Sequence, residues 1–294
     1  MPDRKTQLVG MAAISTVVIV WSTFLVISRA GVQSGLTIFD IAALRYGIAG
    51  AICVPIVLYY KPWRSTTVTR LAMLAIFGGV PYGLLSYVGF IFAPAAHGGV
   101  FLNGMVPALA LIIGYVWLRE KPLAIQVIGC LLIIVGAGMA AIGASSGSNP
   151  RAWIGDLAFF SSGAFFAVFL ILQRQWRSNI PQVLLAAAIV GAITYLPIWA
   201  LFLPTTLAQA EPNQIALQAV FQGLFPNLIG LILLSHAVRR VGSTVVAAFL
   251  SAVPGVGSVF GLIFLGENPA LLGWLGLPIL TTGILLATVW QRRA

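Results

Sequence analysis

Few side chains in this sequence could carry acid–base or metal chemistry, and they are scattered. Asp40 and Arg45 share one apolar run, His97 and Asp156 begin two others, and His236 ends a fourth. An ionisable group inside such a run marks a proton relay, an ion site or a substrate contact. Asp40 and Arg45 stand five apart, about 140° round a helix, and so miss the i, i+4 spacing of a helical ion pair. Arg45 lies about 10 Å inside its helix end, within snorkelling reach of the interface, so a structural role leads and substrate contact comes second. His97 and His236 fall near opposite ends of the membrane, too far apart for one metal or proton site, and hydrogen bonding at the interface is their leading role. No run carries a carboxylate near its centre, so the usual ligand of a proton relay or sodium site is missing and obligate proton antiport is disfavoured. Glu120 and Glu267 each precede a proline at a helix junction, where an acid favours the N-terminus of the next helix. They read as turn residues rather than proton carriers.

Uncharged polar and aromatic groups at mid-run are the better substrate candidates: Trp21, Tyr82, Ser86, Asn103, Ser162, Asn227 and Ser251. A wall that can hydrogen-bond but carries no charge suits a zwitterion or a neutral amphiphile. Tyr82 follows Pro81 and Asn227 follows Pro226, in corresponding runs, while Pro107 and Pro254 match in another pair. A proline frees the carbonyl four residues earlier, and helices bent at matching positions point to a binding site and its gates. Arg45 and His97 remain candidate polar contacts. Trp63, Trp117, Trp176 and Trp290 suit an interface belt. Gly78-Gly79, Gly98-Gly99 and Gly255-Val256-Gly257 suit close helix contact.

The elements that must position these residues follow from composition. Only 7% of the 294 residues are charged and 60% are hydrophobic, against about 25% charged in a soluble domain, and mean hydropathy is +1.03. Most of the surface must face lipid. Ten runs reach the roughly 20 residues that cross a bilayer, at about 8–29, 37–60, 70–92, 96–118, 123–143, 154–174, 181–203, 217–237, 243–265 and 270–290. They are continuously apolar rather than alternating, which requires helices instead of barrel strands. The fold class is all-α and polytopic. The first run is too long for the h-region of a signal peptide, about 7–15 residues, and reads as a retained span. Cys53 and Cys130 lie inside apolar runs, so neither a disulfide framework nor a metal quartet has support; no metal and no cofactor is expected.

Lysine and arginine are retained on the cytoplasmic side. Thirteen of them, from Arg4 and Lys5 through Lys61, Arg64, Arg70, Arg119, Lys121, Arg174, Arg177, Arg239 and Arg240 to Arg292 and Arg293, fall at the termini or at alternate loops, whereas Arg29 and Arg151 fall on the other side. Both termini are therefore expected inside. The +10 net charge reports orientation and anionic-lipid contact, without nucleic acid.

The chain also repeats itself. At an offset of 147, Pro107, Glu120, Pro122, Gly129 and Gly136 meet Pro254, Glu267, Pro269, Gly276 and Gly283; at 145, Gly10 and Arg29 meet Gly155 and Arg174. The division falls in the linker around Ser145 to Pro150, giving units 1–147 and 148–294. Five spans per unit is an odd number, so the second copy must enter the membrane inverted. Arg119 and Lys121 give way to Gly266 and Asn268 while glutamate and proline persist, as the reversed orientation requires.

With Pro107 to Glu120-Lys121-Pro122 and Gly129 to Gly136, the same pattern from Pro254 to Gly283, Trp21-Ser22 in span 1 and Leu44-Arg45-Tyr46 in span 2, the sequence resembles the drug/metabolite transporter superfamily, of the type with two tandem EamA-like halves. Span 7 departs from it in having no arginine that matches Arg45. The resemblance implies ten helices around a central cavity lined by spans 1, 3, 4, 6, 8 and 9, with spans 5 and 10 peripheral. It also implies a multi-pass protein of the plasma membrane (the inner membrane of a Gram-negative cell) that exports or exchanges small organic molecules, amino acids among them, by alternating access. An enzyme is disfavoured, since no His-Glu-x-x-His, Gly-x-Ser-x-Gly or phosphate-binding loop is present. A channel lacks an evident filter. An aromatic, nearly charge-free cavity favours neutral or aromatic amino acids. Efflux of other metabolites or drugs is the alternative, and a buried carboxylate would mark it for cations. The expected partners are the substrate and the bilayer, with a monomer or weak homo-oligomer as the unit.

Overall fold

In the computed structural model, residues 4–144 and 149–289 are described. The centre of the linker, Trp290, Arg292, Arg293 and the side chains of Arg4 and Lys5 lie outside the described residues, and so do the expectations resting on them. The elements, in order, are α1 (Arg4–Gln33), α2 (Ile38–Tyr60), α3 (Val68–Gly78), α4 (Val80–Phe92), α5 (Ala95–His97), a π-helical stretch (Gly98–Gly104), α6 (Val106–Leu118), α7 (Ala124–Ala144), α8 (Ala152–Trp176), α9 (Ile180–Leu184), a second π stretch (Leu185–Val190), α10 (Gly191–Phe202), α11 (Pro212–Leu224), a third π stretch (Phe225–Ile229), α12 (Gly230–Leu250), α13 (Val253–Leu265) and α14 (Leu271–Val289). The fold is all-helical. Among the described residues nine helical segments are long and apolar enough to cross a membrane, and Val253–Leu265 is a shorter apolar helix.

Local chemistry sets the ends. Thr37 and Asp40 form a capping box at the start of α2, and Asn179 and Gln182 form another at α9, satisfying backbone donors that lipid could not. Other segments begin at proline: Pro81, Pro107 and Pro254 sit in the first turn of α4, α6 and α13, where the missing N–H would have had no partner anyway. The third expected span is thus broken at Gly79 rather than continuous. The eighth and ninth expected spans run together as Pro212–Leu250, interrupted at Gly242 with φ 83° and ψ 159°. Glycine alone takes that conformation without strain. A second interruption at Ser251–Ala252 precedes Pro254 and leaves α13 short.

The closest helix pair is α7 with α14. A Cβ placed on Gly136 would lie 2.7 Å from the Gly276 oxygen, and one on Gly283 would lie 2.7 Å from the Gly129 oxygen. Gly129 therefore faces Gly283 while Gly136 faces Gly276, and these are the repeat-related positions with their partners exchanged. Such self-complementary pairing is the mark of a two-fold contact. Elsewhere Phe24, Leu25, Tyr46, Tyr87, Phe90 and Phe159 fill a core between α1, α2, α4 and α8. Val116, Leu201 and Phe264 are among many large apolar residues on the outside, where a lipid solvent accommodates them. Trp63 and Trp117 are also exposed, and the Arg70 guanidinium lies 5.5 Å over the Trp176 ring.

Gly136→Ala is expected to drive a methyl into the α14 backbone and lower stability by about 1–3 kcal/mol. Gly138→Ala, two residues away and facing open space, should leave thermal unfolding in detergent unchanged. Equal melting of the two variants would contradict the α7–α14 contact.

Candidate functional site

Two connected cavities occupy the centre. The larger, about 330 Å³, runs from Trp21 and Asn103 past Phe166 and Phe169 to Gln173, Ser178 and Thr288. Gln173 and Ser178 flank Arg174 and Arg177, so this cavity leads toward the basic end of the helices. The smaller, about 60 Å³, shares Trp21, Asn103, Phe166 and Phe169 with it and extends inward to Arg45, Tyr82 and Asn227.

The helix breaks position this wall. Asn103 lies in the π stretch 98–104 and Asn227 in the π stretch 225–229. A π turn widens the helix and leaves backbone and side chain displaced from the α-helical ladder, which is why such turns recur at functional sites. Tyr82 follows the Gly79 break, whose carbonyl accepts 2.7 Å hydrogen bonding from the Tyr46 hydroxyl. The Tyr82 ring stacks on Phe166, with centroids 5.3 Å apart. Trp21 reaches over Gly230, where a Cβ would stand 3.0 Å from the indole nitrogen. Pro107 and Pro226 line the cavities as well, whereas Pro81 and Pro254 do not.

Arg45 does not snorkel. It is 2% exposed and turns inward, Nη2 donating to Asn227 Oδ1 at 2.9 Å and Nη1 to the Tyr87 hydroxyl at 3.4 Å. The rings of Phe24, Tyr46 and Tyr82 lie 5.3, 5.8 and 5.8 Å from its guanidinium carbon. Behind it a buried amide chain continues: Tyr87 donates to Gln222 Oε1 at 3.2 Å, Gln222 Nε2 to Ser28 Oγ at 2.9 Å, and Gln218 Nε2 to the Ile27 carbonyl at 2.8 Å. Sequence reasoning missed Tyr87, Phe166, Gln218 and Gln222. Two glutamines four apart in an apolar helix were a visible signal of a shared polar face.

The three serines sit outside the cavity lining. Ser86 and Ser251 donate to carbonyls of their own helices, Gly83 and Ala248, at 2.7 Å each. Ser162 donates to the Tyr82 carbonyl at 2.7 Å, holding the broken α4 against α8. His97 is also away from the centre, its Nδ1 2.6 Å from Asp156 Oδ1, in a vestibule at the other end shared with Arg29 and Glu267.

That vestibule contains half of a matched pair of ion bridges. Arg29 Nε meets Glu267 Oε1 at 2.8 Å, and Arg174 Nη2 meets Glu120 Oε1 at 2.5 Å. The arginines and the glutamates are repeat-related, so each repeat's arginine grips the other repeat's glutamate. Both glutamates occupy the same turn, their N–H groups closing onto Gly114 and Gly261 oxygens at 3.2 Å after a left-handed residue, Arg119 or Gly266. The expectation that Glu267 serves its own following helix is replaced: its Oε2 accepts from the Ala95 N–H at 2.8 Å, capping a helix of the other repeat. Arg29 also donates to the Phe90 and Ile91 carbonyls. The side chains of this pair are 16% exposed, those of Arg174 and Glu120 61% and 53%. Phe90, whose carbonyl accepts from Arg29, packs edge-on against Phe24 and Phe159, at 6.2 and 4.7 Å. The two repeat-related bridges thus differ in exposure, the Arg29–Glu267 pair being the more enclosed.

The model of the EamA-like transporter family matches residues 8–142 and again 153–289. The chain is 25% identical over 235 residues to a protein of Streptantibioticus cattleyicolor described as a probable terminal-alkyne amino-acid exporter, covering 78% of this chain and 77% of that one. It is 25% identical over 231 residues to an uncharacterized transporter of Archaeoglobus fulgidus, covering 77% and 80%. A protein of known crystal structure, 19% identical, superposes with a TM-score of 0.65 over 98% of this chain and 97% of its own; that likeness concerns the fold alone.

Breaking the two bridges should have unequal costs. Glu267→Ala removes the carboxylate that serves a part-buried guanidinium and the Ala95 N–H and is expected to cost about 2 kcal/mol, whereas Glu120→Ala at the exposed pair should cost at most about 1 kcal/mol. Equal losses in denaturant unfolding would contradict the asymmetry between the ends.

Proposed function

The chain belongs to the EamA-like transporter family, and from that premise we propose that it exports neutral or aromatic amino acids by alternating access through the central cavity. The observation that carries this reading is the cavity wall. Trp21, Tyr82 and Phe166 offer aromatic faces, Asn103 and Asn227 offer amides, and a cavity of about 330 Å³ extends from them toward Gln173 and Ser178 at the basic end. A site of that size with few convergent polar groups suits one small organic molecule. The S. cattleyicolor relative, described as an amino-acid exporter, supports the same substrate class.

On this reading the chain crosses the membrane ten times, the Gly242 break dividing the long Pro212–Leu250 segment and α13 completing the ninth crossing. Both termini lie in the cytoplasm, as the lysine and arginine distribution favours. Units 1–147 and 148–294 are inverted copies, and the exchanged bridges give their relation a mechanical meaning. The conformation described is open toward the cytoplasm, with Arg29–Glu267 closing the outer end. Its counterpart has Arg174–Glu120 buried and Arg29–Glu267 exposed, reached by rocking one repeat against the other. The cavity is built within one chain, so a monomer suffices for transport.

Liposomes containing the purified protein are expected to take up radiolabelled neutral and aromatic amino acids saturably, without an imposed pH gradient. Trp21→Ala or Tyr82→Ala should lower uptake at least tenfold. Flux no greater than in empty liposomes would overturn the substrate assignment, and flux that required a proton gradient would overturn the uncoupled mechanism.

A further inference from the structure

The strongest unassigned feature of the molecule is a buried cation with no counter-ion. Arg45 is 2% exposed and lies about 10 Å from the start of its helix, at membrane depth. Among the described residues it forms no salt bridge. Asp40 is engaged by Thr37, Trp199 and Thr206, Glu120 by Arg174, Asp156 by His97 and Glu267 by Arg29. The groups that do touch Arg45 are neutral: one amide oxygen, one phenol and three ring faces. A guanidinium has five N–H donors. Two are used here, and Nε is buried without any partner. A charge taken out of water is retained only where something compensates it, and an orphaned buried donor requires its own explanation.

The position of the guanidinium supplies that explanation. Arg45 lines the inner cavity of about 60 Å³, which adjoins the larger chamber at Trp21 and Asn103. The inner space has room for a small polar group only, and the chamber beyond it has room for a larger apolar part. The planar fork of arginine matches a carboxylate with two parallel hydrogen bonds. Asn227 and Tyr87, the latter held in turn by Gln222, fix the orientation of the guanidinium, and its remaining N–H groups are left for a ligand. We propose that Arg45 binds the carboxylate of the transported molecule, and that the carrier therefore selects small carboxylic acids, amino acids included, and rejects amines that lack an acid group. The inference rests on the central cavity being the substrate site and narrows the substrate class of that reading.

Competition binding to the purified full chain, with L-tryptophan, indole-3-propionate, tryptophan methyl ester and tryptamine as probes, tests it. The two acids are expected to bind at least tenfold more tightly than the ester and the amine. Arg45→Gln should abolish that preference, weakening the acids at least tenfold while leaving tryptamine within about threefold. Arg45→Lys, which keeps the charge but loses the fork, should fall between. Folding of each variant is checked by thermal unfolding, and the four-probe series on the unaltered protein stands by itself if Arg45→Gln does not fold. Equal binding of acid and amine, unchanged L-tryptophan affinity in a folded Arg45→Gln variant, or no binding of either acid would each overturn the assignment. In those cases tryptamine binding that is lost in Trp21→Ala would leave the cavity reading standing, and absence of binding by all four probes would remove both.

Discussion

A bilayer core offers no hydrogen bonds, so a backbone that stops being α-helical inside it must be covered by protein or must line a cavity. The irregular positions in this molecule obey that constraint by gathering at one place. The break at Gly79, the π stretches at 98–104 and 225–229 and the restart before Pro254 all lie on α-helical segments that meet around Trp21, Arg45 and Asn227. Buried side chains take up the carbonyls that these breaks expose. The Tyr46 hydroxyl serves Gly79, Ser162 serves Tyr82, and Ser22 donates to Val253 at 3.3 Å. Polar groups are thereby concentrated where a solute can use them, and the periphery stays regular and apolar.

The same division separates what holds still from what can move. The α7–α14 contact is backbone against backbone at four glycines in exchanged register, flanked by packed apolar side chains such as Ile133 and Leu280, and it carries no charged contact among these residues. Dispersion over such a close approach stabilises the pair where no hydrophobic effect acts. The bridges at the two ends are of the opposite kind: single charged contacts whose strength depends on how much water reaches them. On the proposed alternating-access reading, a pair enclosed at one end and wet at the other would let two conformations differ by exchange of similar interactions rather than by net loss.

Much of this was legible in the sequence. Continuous apolar runs announced an all-helical chain with nine long apolar segments and one shorter helix among the described residues, and the offsets of proline, glutamate and glycine agree with the two family matches. Trp21, Tyr82, Asn103 and Asn227, chosen as polar or aromatic groups at mid-run beside prolines, do line the connected cavities. The serines were misplaced for a physical reason: a hydroxyl in lipid can satisfy itself on a carbonyl three or four residues back, so polarity at mid-run does not fix the face. In helices that are apolar all round, periodicity cannot supply the missing rotation. The direction of Arg45 was hidden for the same reason, since snorkelling and inward pointing use the same position. Glu267 was read from its proline, whereas its partners Arg29 and Ala95 lie 238 and 172 residues away and leave no local trace.

Charge placement ties these observations together. Four carboxylates of the described chain are held by arginine, histidine or hydroxyl partners at the ends of helices, where they fix turns and latch the repeats. None faces the cavity, and the charge that does face it is the positive one of Arg45. A cavity of that sign lowers the energy of an entering carboxylate and raises that of an entering ammonium ion, and with little water present both effects are larger than at a surface. On the proposed assignment a zwitterion would meet the site with its acid toward the guanidinium and its apolar part against Trp21 and Phe166, with the amides of Asn103 and Asn227 in the same wall. Selection by charge and selection by aromatic surface would then act on different ends of one molecule, which is how a pocket with so few polar groups can be specific.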